Sequence, residues 1–201
     1  ENFDVMVAGG GPAGLCAALQ CAREGLKTLL VEKTGICGGA MTLAGIAYPG
    51  IFGVYGRQII AGIGWELIRA TLAEMNAPEP DFSRCNDGGN AYGHIPINGF
   101  VFAALADQAL IEAGAHILFH TMPAAMNREE NSWKITLCDK DGLHNIRCQM
   151  AIDCTGDANL IKMAGAEYRE PEICQPGSLS VMVEGRPDTL PENADLDELK
   201  K

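Results

Sequence analysis

Gly9, Gly11 and Gly14 stand at GxGxxG spacing in the stretch Gly9-Gly10-Gly11-Pro12-Ala13-Gly14. Each position can do separate work: a tight turn out of a strand, the approach of bare backbone to a diphosphate, and close packing of a helix on a sheet. Spacing alone is weak grounds, because glycines also serve plain turns. The context strengthens it. Residues 3–8 form a short, β-rich apolar run, and residues 15–23 are rich in Ala and Leu. The loop therefore reads as strand, turn and helix, with the amides and dipole of the helix N-terminus facing any diphosphate held there. Glu32 follows 18 residues after Gly14, at the end of a second apolar run. Its carboxylate can accept hydrogen bonds from both ribose hydroxyls of an adenosine and would repel a 2′-phosphate. These residues disfavour NADP as the ligand and leave NAD and FAD open.

The elements that must position this loop follow from periodicity. Gly25 stops the first helix, and residues 27–32 supply a second buried strand, completing a βαβ unit whose crossover is parallel and right-handed. Residues 35–56 are Gly-rich and irregular. The pattern predicts a helix over 57–75, with Ile59, Ile60, Ile63, Leu67, Ile68 and Leu72 near one face. Residues 77–90 read as an exposed excursion. A helix over 98–113 has Asn98 as N-cap and Gly114 as its stop, and a strand over 115–121 follows. The period then changes to alternation over 132–138, with hairpin chemistry at 139–142 and a return over 145–152. A strand ending at Asp153-Cys154-Thr155-Gly156-Asp157 leads into a helix at 158–164, and one β-like run, 178–183, lies beyond. The fold class is α/β: a Rossmann-like parallel sheet of the FAD/NAD(P)-binding type with an inserted antiparallel β-meander at about 122–150. Residues 1–167 are expected to form the nucleotide-binding domain, and 168–201 to begin a substrate domain left incomplete.

Composition narrows the partners. The net charge of −11 comes without any run of Lys or Arg, so no basic stripe exists for nucleic acid or an anionic membrane. No apolar stretch approaches membrane-spanning length, and the N-terminus lacks the basic region of a signal peptide, although a removed leader stays compatible with a chain that starts at Glu1. The eight cysteines include no CxxC pair and no His at zinc-site spacing, so reduced thiols, a cytoplasmic setting and no metal are expected.

Three pieces of the sequence, in order, resemble the flavoproteins of the glutathione-reductase structural class, and within it the FAD-dependent oxidoreductases related to fumarate-reductase-like and heterodisulfide-reductase-like proteins. They are the loop Val7-Ala8-Gly9-Gly10-Gly11-Pro12-Ala13-Gly14, the pair Val31-Glu32-Lys33 with Gly38-Gly39-Ala40-Met41-Thr42, and Asp153-Cys154-Thr155-Gly156-Asp157. The resemblance spans about residues 3–183 and implies FAD as the cofactor. It places Gly38, Gly39, Ala40, Met41 and Thr42 along the pyrophosphate, ribitol and flavin. It places main chain of Met122 and Pro123 at the adenine, and Thr155, Gly156 and Asp157 over the nucleotide beside the glycine loop. A FAD longer than NAD explains why a second glycine pair is needed. Disulfide reductases of this class carry a CxxxxC pair just after that second signature. Here no such pair follows Gly39, and Cys37 stands alone before it, so a flavin–disulfide relay is not expected.

The flavin would carry hydride or electron chemistry with a small-molecule substrate or an electron-transfer partner. His94, Tyr48, Tyr55, Arg57 and Tyr92 are acid–base candidates in irregular regions, but no spacing links them, and catalytic residues are left unassigned. Two alternatives stay open: a non-catalytic module holding NAD or ADP, and a flavin subunit of a larger electron-transfer assembly.

Overall fold

A computed structural model describes residues 1–84, 94–170, 172–174 and 176–177. Strand β1 (Asn2–Ala8) is buried on both faces. Val5 and Val7 enter one apolar cluster, while Met6 and Ala8 enter another on the opposite side. That two-sided burial explains the nearly continuous apolar run and marks a central strand of a parallel sheet. Helix α1 (Pro12–Arg23) packs Leu15, Ala18 and Leu19 on the Val5/Val7 side, and β2 (Thr28–Val31) returns beside β1 in parallel, pairing Val7 with Leu30.

Beyond β2, Gly39–Met41 form a single 3-10 turn, and β3 (Gly53–Val54) pairs antiparallel with β4 (Arg57–Gln58). Tyr55 and Gly56 between them both have positive φ, +51° and +69°, the geometry of a type I′ hairpin. This corrects the expected helix over 57–75. Helix α2 (Ile63–Glu74) starts only after Gly62, whose φ of +81° breaks the helical backbone, and Ile59 and Ile60 are exposed rather than on its buried face. Helix α3 (Gly99–Glu112) has the Asn98 side chain accepting from the N–H groups of Phe100 and Val101, and its path ends at Gly114 with φ +81°. Its Phe102, Ala106 and Leu110 join Trp65, Ile68 and Leu72 of α2 in the first cluster.

Strands β5 (His116–Leu118), β6 (Met122–Arg128), β7 (Trp133–Asp139) and β8 (Gly142–Asp153) complete one six-stranded sheet in the order β5-β2-β1-β8-β7-β6. The first four of that order are parallel and the last two antiparallel. The inserted antiparallel meander is therefore continuous with the parallel sheet. One twelve-residue strand, β8, pairs antiparallel with β7 through Gly142–Cys148 and parallel with β1 through Arg147–Asp153. Ile135, Leu137, Ile146 and Cys148 of the meander share a cluster with Met6, Leu29 and Val31, so the meander covers the sheet face that the helices leave open. A short helix, α4 (Asn159–Met163), closes this layer through Leu160. The β-like run at 178–183 and Tyr92 lie outside the described residues.

Candidate cofactor site

The C-terminal ends of β1, β2 and β8 meet at the glycine loop, where open α/β sheets bind their ligands. The three motif glycines have different surroundings. A Cβ on Gly9, whose φ is +102°, would overlap the Cys154 carbonyl, and one on Gly14 would overlap the carbonyl oxygen of Gly9 itself. Packing of β1, α1 and β8 requires both. A Cβ on Gly11 would meet only the Gly39 Cα, at 3.9 Å, and Gly11 has an ordinary extended backbone with φ −72°. Nothing among the described residues uses the absence of that side chain, so the space beside Gly11 is a cradle that a Cβ would fill. The first helical bond runs from the Leu15 N–H to the Gly11 carbonyl at 2.9 Å, and the N–H groups of Ala13 and Gly14 precede it. Pro12 occupies the first turn, where its missing N–H costs nothing. Pro12 and Ala13 are exposed and Gly11 is half-buried. A diphosphate fits this cradle.

Glu32 is 6% exposed and reaches across to the loop: the Gly10 N–H donates to its Oε2 at 2.6 Å. Its Oε1 accepts from the Thr34 N–H at 2.8 Å and the Thr34 hydroxyl at 2.7 Å. Of roughly four lone-pair sites on a carboxylate, these donors leave one for a ribose hydroxyl. Lys33 is exposed beside it. The second glycine pair is brought against the first. The Gly38 N–H donates to the Gly10 carbonyl at 2.8 Å, and a Cβ on Gly39 would come within 3.0 Å of the Gly11 Cα. Gly38 and Gly39 both have positive φ, Met41 is buried, and the Thr42 hydroxyl donates to the carbonyls of Cys37 and Gly39 at 3.0 and 3.1 Å. Ala40 is exposed at the outside of the turn. Met122 and Pro123 begin edge strand β6 immediately after Thr121, whose N–H donates to the Glu32 carbonyl at 3.1 Å.

At the end of β8, Thr155 Cα would lie 3.1 Å from a Cβ on Gly9, so the Thr155-Gly156-Asp157 segment adjoins the glycine loop. Asp153 organises it. Its Oδ1 accepts from the Thr155 N–H at 3.0 Å and hydroxyl at 2.7 Å, and its Oδ2 from the N–H groups of Leu160 and Ile161 at 2.8 and 3.2 Å. Burial alone would raise its pKa, but these donors outweigh burial and hold it below the usual Asp value. The Thr155 hydroxyl in turn accepts from the Asp157 and Asn159 N–H groups. The motif match contained Asp153 without giving it work, and the D-x-T spacing of a side-chain-to-backbone turn was the available signal. Thr34, also unassigned from sequence, shows the same E-x-T geometry on Glu32.

Behind the second glycine turn, Cys37 is fully buried, and burial first, then the neighbouring Asp107 carboxyl of α3, push its thiol pKa far up. It is a poor nucleophile there. Asp107 is itself raised by burial, against a smaller opposing effect of the Cys37 thiol, and its Oδ1 has no hydrogen-bond partner among the described residues. Tyr48, Tyr55, Arg57 and His94 are exposed on the segment before α2 and on the strip that pairs with it through the Ile95 N–H to Pro49 carbonyl bond at 2.8 Å. No side-chain hydrogen bond joins them. Among the described residues, no cluster of His, Cys, Asp and Glu could hold a metal ion, and no helix is long and apolar enough to cross a membrane.

A sequence model of the family described as FAD dependent oxidoreductase matches residues 4–196. The chain belongs to that family. Its cofactor is FAD, and the cradle at Gly11, the Glu32 anchor and the paired glycine turns are compatible with it. Among curated proteins, the chain is 27% identical to the thiamine thiazole synthase of Methanococcus vannielii, over 96% of this chain and 71% of that protein. It is 30% identical to that of Sulfolobus acidocaldarius, over 92% of this chain and 66% of that protein. Among solved structures, OxyS anhydrotetracycline hydroxylase from Streptomyces rimosus superposes with a TM-score of 0.59 at 18% identity, covering 86% of this chain and 36% of that one. AlpK gives 0.58 at 18% identity, covering 81% and 33%. These similarities show the Rossmann-like FAD-binding fold. The chain spans about two thirds of the length of the curated relatives and about a third of these solved chains.

Proposed function

We propose that residues 1–167 form the FAD-binding domain of a flavin-dependent oxidoreductase of the glutathione-reductase structural class, acting on a small-molecule substrate or an electron-transfer partner, with residues from 168 onward beginning the part that handles that substrate. Bound flavin supplies the hydride or electron chemistry. The protein's residues bind and orient. Gly11 admits the pyrophosphate to the backbone, the free N–H groups opening α1 receive its charge, Glu32 accepts from the ribose, and the Gly38–Thr42 turn lines the path toward the flavin. Met122 and Pro123 bound the adenine end, with Lys33 at its mouth. Thr155, Gly156 and Asp157, fixed by Asp153, border the loop on the other side. The buried, high-pKa Cys37 agrees with a chemistry that uses no protein disulfide, and the thiols unbridged among the described residues suit a reducing, cytoplasmic setting.

The observation that carries this reading is the cradle at Gly11, the one motif glycine that no contact among the described residues explains. A second reading keeps the same cleft for NAD or ADP without flavin, since the glycine loop and the Glu32 anchor would serve either nucleotide. Material released from the purified chain by heat separates the two. Flavin absorbs near about 450 nm, and its presence at up to one equivalent supports the oxidoreductase. A colourless adenine nucleotide in its place would transfer the assignment to the second reading.

A further inference from the structure

His120 adopts a left-handed backbone with φ +51°, a conformation strained for an L side chain although less so for His than for most. A glycine would hold that turn at no steric cost, so the turn itself does not call for an imidazole. The ring is exposed, and its tip overhangs the loop after β2: a Cβ on Gly35 would lie 2.8 Å from both Cε1 and Nε2. Main-chain bonds fix the two segments together. The His120 N–H donates to the Thr34 carbonyl at 3.0 Å, and the Thr121 N–H donates to the Glu32 carbonyl at 3.1 Å. The overhung loop is therefore the one whose Glu32 is anchored to Gly10 and whose Thr34 holds the Glu32 carboxyl.

We propose that the His120 imidazole is the wall against which the adenine of the cofactor packs, and that Gly35 is bare so that the ring can sit close on the loop. The inference rests on the dinucleotide reading of the glycine loop. An aromatic ring at the adenosine end offers a π face to the base, and such base–aromatic stacking is worth on the order of tenfold or more in affinity. Retaining a strained residue at that position is expected where the side chain serves a ligand.

The test titrates the full chain with ADP by calorimetry and records thermal unfolding without ligand. His120→Asn keeps a residue that tolerates the left-handed turn and removes the ring, so ADP affinity should fall on the order of tenfold with no loss in Tm. Gly35→Ala should displace the ring and weaken ADP similarly, and should add nothing in the His120→Asn background. Unchanged ADP affinity in His120→Asn overturns the proposal, as does a lowered Tm accompanying the loss, which would make the ring structural. Additive losses in the double variant overturn it too. Failure of the unsubstituted chain to bind ADP at all is a different result, because it removes the dinucleotide reading itself and the His120 proposal with it.

Discussion

Substituting alanine at each motif glycine in turn separates folding from cofactor binding. Gly11 has φ −72°, and an added Cβ meets only the Gly39 Cα at 3.9 Å, ordinary van der Waals contact. Gly11→Ala should therefore stabilise the ligand-free chain by about 0.4–1 kcal/mol, through lost freedom of the unfolded state. For a chain of this size that raises Tm by roughly 1–4 °C. The same Cβ holds a diphosphate off the N–H groups that open α1. Loss of one charge-assisted bond, about 1.5–3 kcal/mol, weakens FAD by roughly ten- to a hundredfold. Gly9→Ala forces a side chain onto a backbone with φ +102° and into the Cys154 carbonyl, and Gly14→Ala drives a Cβ into the Gly9 carbonyl. At Gly9 left-handed strain alone costs about 1–3 kcal/mol and the overlap adds to it, while at Gly14 the overlap acts by itself; both should lower Tm by roughly 4 °C or more. Thermal unfolding without ligand and FAD titration by fluorescence quenching measure the two axes. A Gly11→Ala chain that binds FAD as the unsubstituted chain does would end the cradle assignment. One as destabilised as Gly9→Ala would show that the glycine serves packing.

The two perturbed carboxyls predict opposite pH behaviour. Burial raises the Asp107 pKa above its unfolded value, so its contribution to stability is present at low pH and is lost as pH rises through the folded pKa; Asp107→Asn should thus unfold at a higher temperature than the unsubstituted chain at pH 8 but not at pH 4, and a pH-independent difference would refute this. Asp153 is lowered, so its contribution is present above the ordinary Asp pKa of about 3.9 and is lost as pH falls through the folded pKa. Asp153→Asn should cost about 1–3 kcal/mol at pH 7, through its four donors, and should unfold over a shallower acid limb below about pH 4; an acid limb as steep as that of the unsubstituted chain would count against the assigned role.

Sequence carried most of the glycine loop because its constraints are local. Strand, turn and helix occupy neighbouring residues, and each glycine leaves a spacing that can be read without knowing the fold. Asn98 and Gly114 were legible for the same reason, since caps act within four residues. The start of α2 was not. Ile59 and Ile60 continue the apolar period of the true helix, and only the backbone at Tyr55, Gly56 and Gly62 shows that the chain makes a hairpin and a break before it. The contact between the two glycine stretches was legible as a resemblance but not as physics. The Gly38 to Gly10 bond joins loops whose approach depends on packing of the whole helical layer.

The strand that sequence divided between a meander and a parallel sheet gives the deeper reason for that limit. β8 is twelve residues long, and its pairing changes partner and direction near Arg147 and Cys148, where both neighbours are bonded. Periodicity reports which side chains are buried and not which strand lies alongside or in what direction, so a strand that changes partner and direction along its length reads as two elements. The continuity has a consequence for the site. Because the same strand is anchored by β7 at one end and by β1 at the other, the Cys154 carbonyl is delivered against Gly9, and Asp153 can gather Thr155, Leu160 and Ile161 beside the glycine loop. The meander thus fixes the wall of the diphosphate cradle from residues more than a hundred positions away in the chain, which is why Gly9 must be glycine before any cofactor arrives while Gly11 need be glycine only for the cofactor.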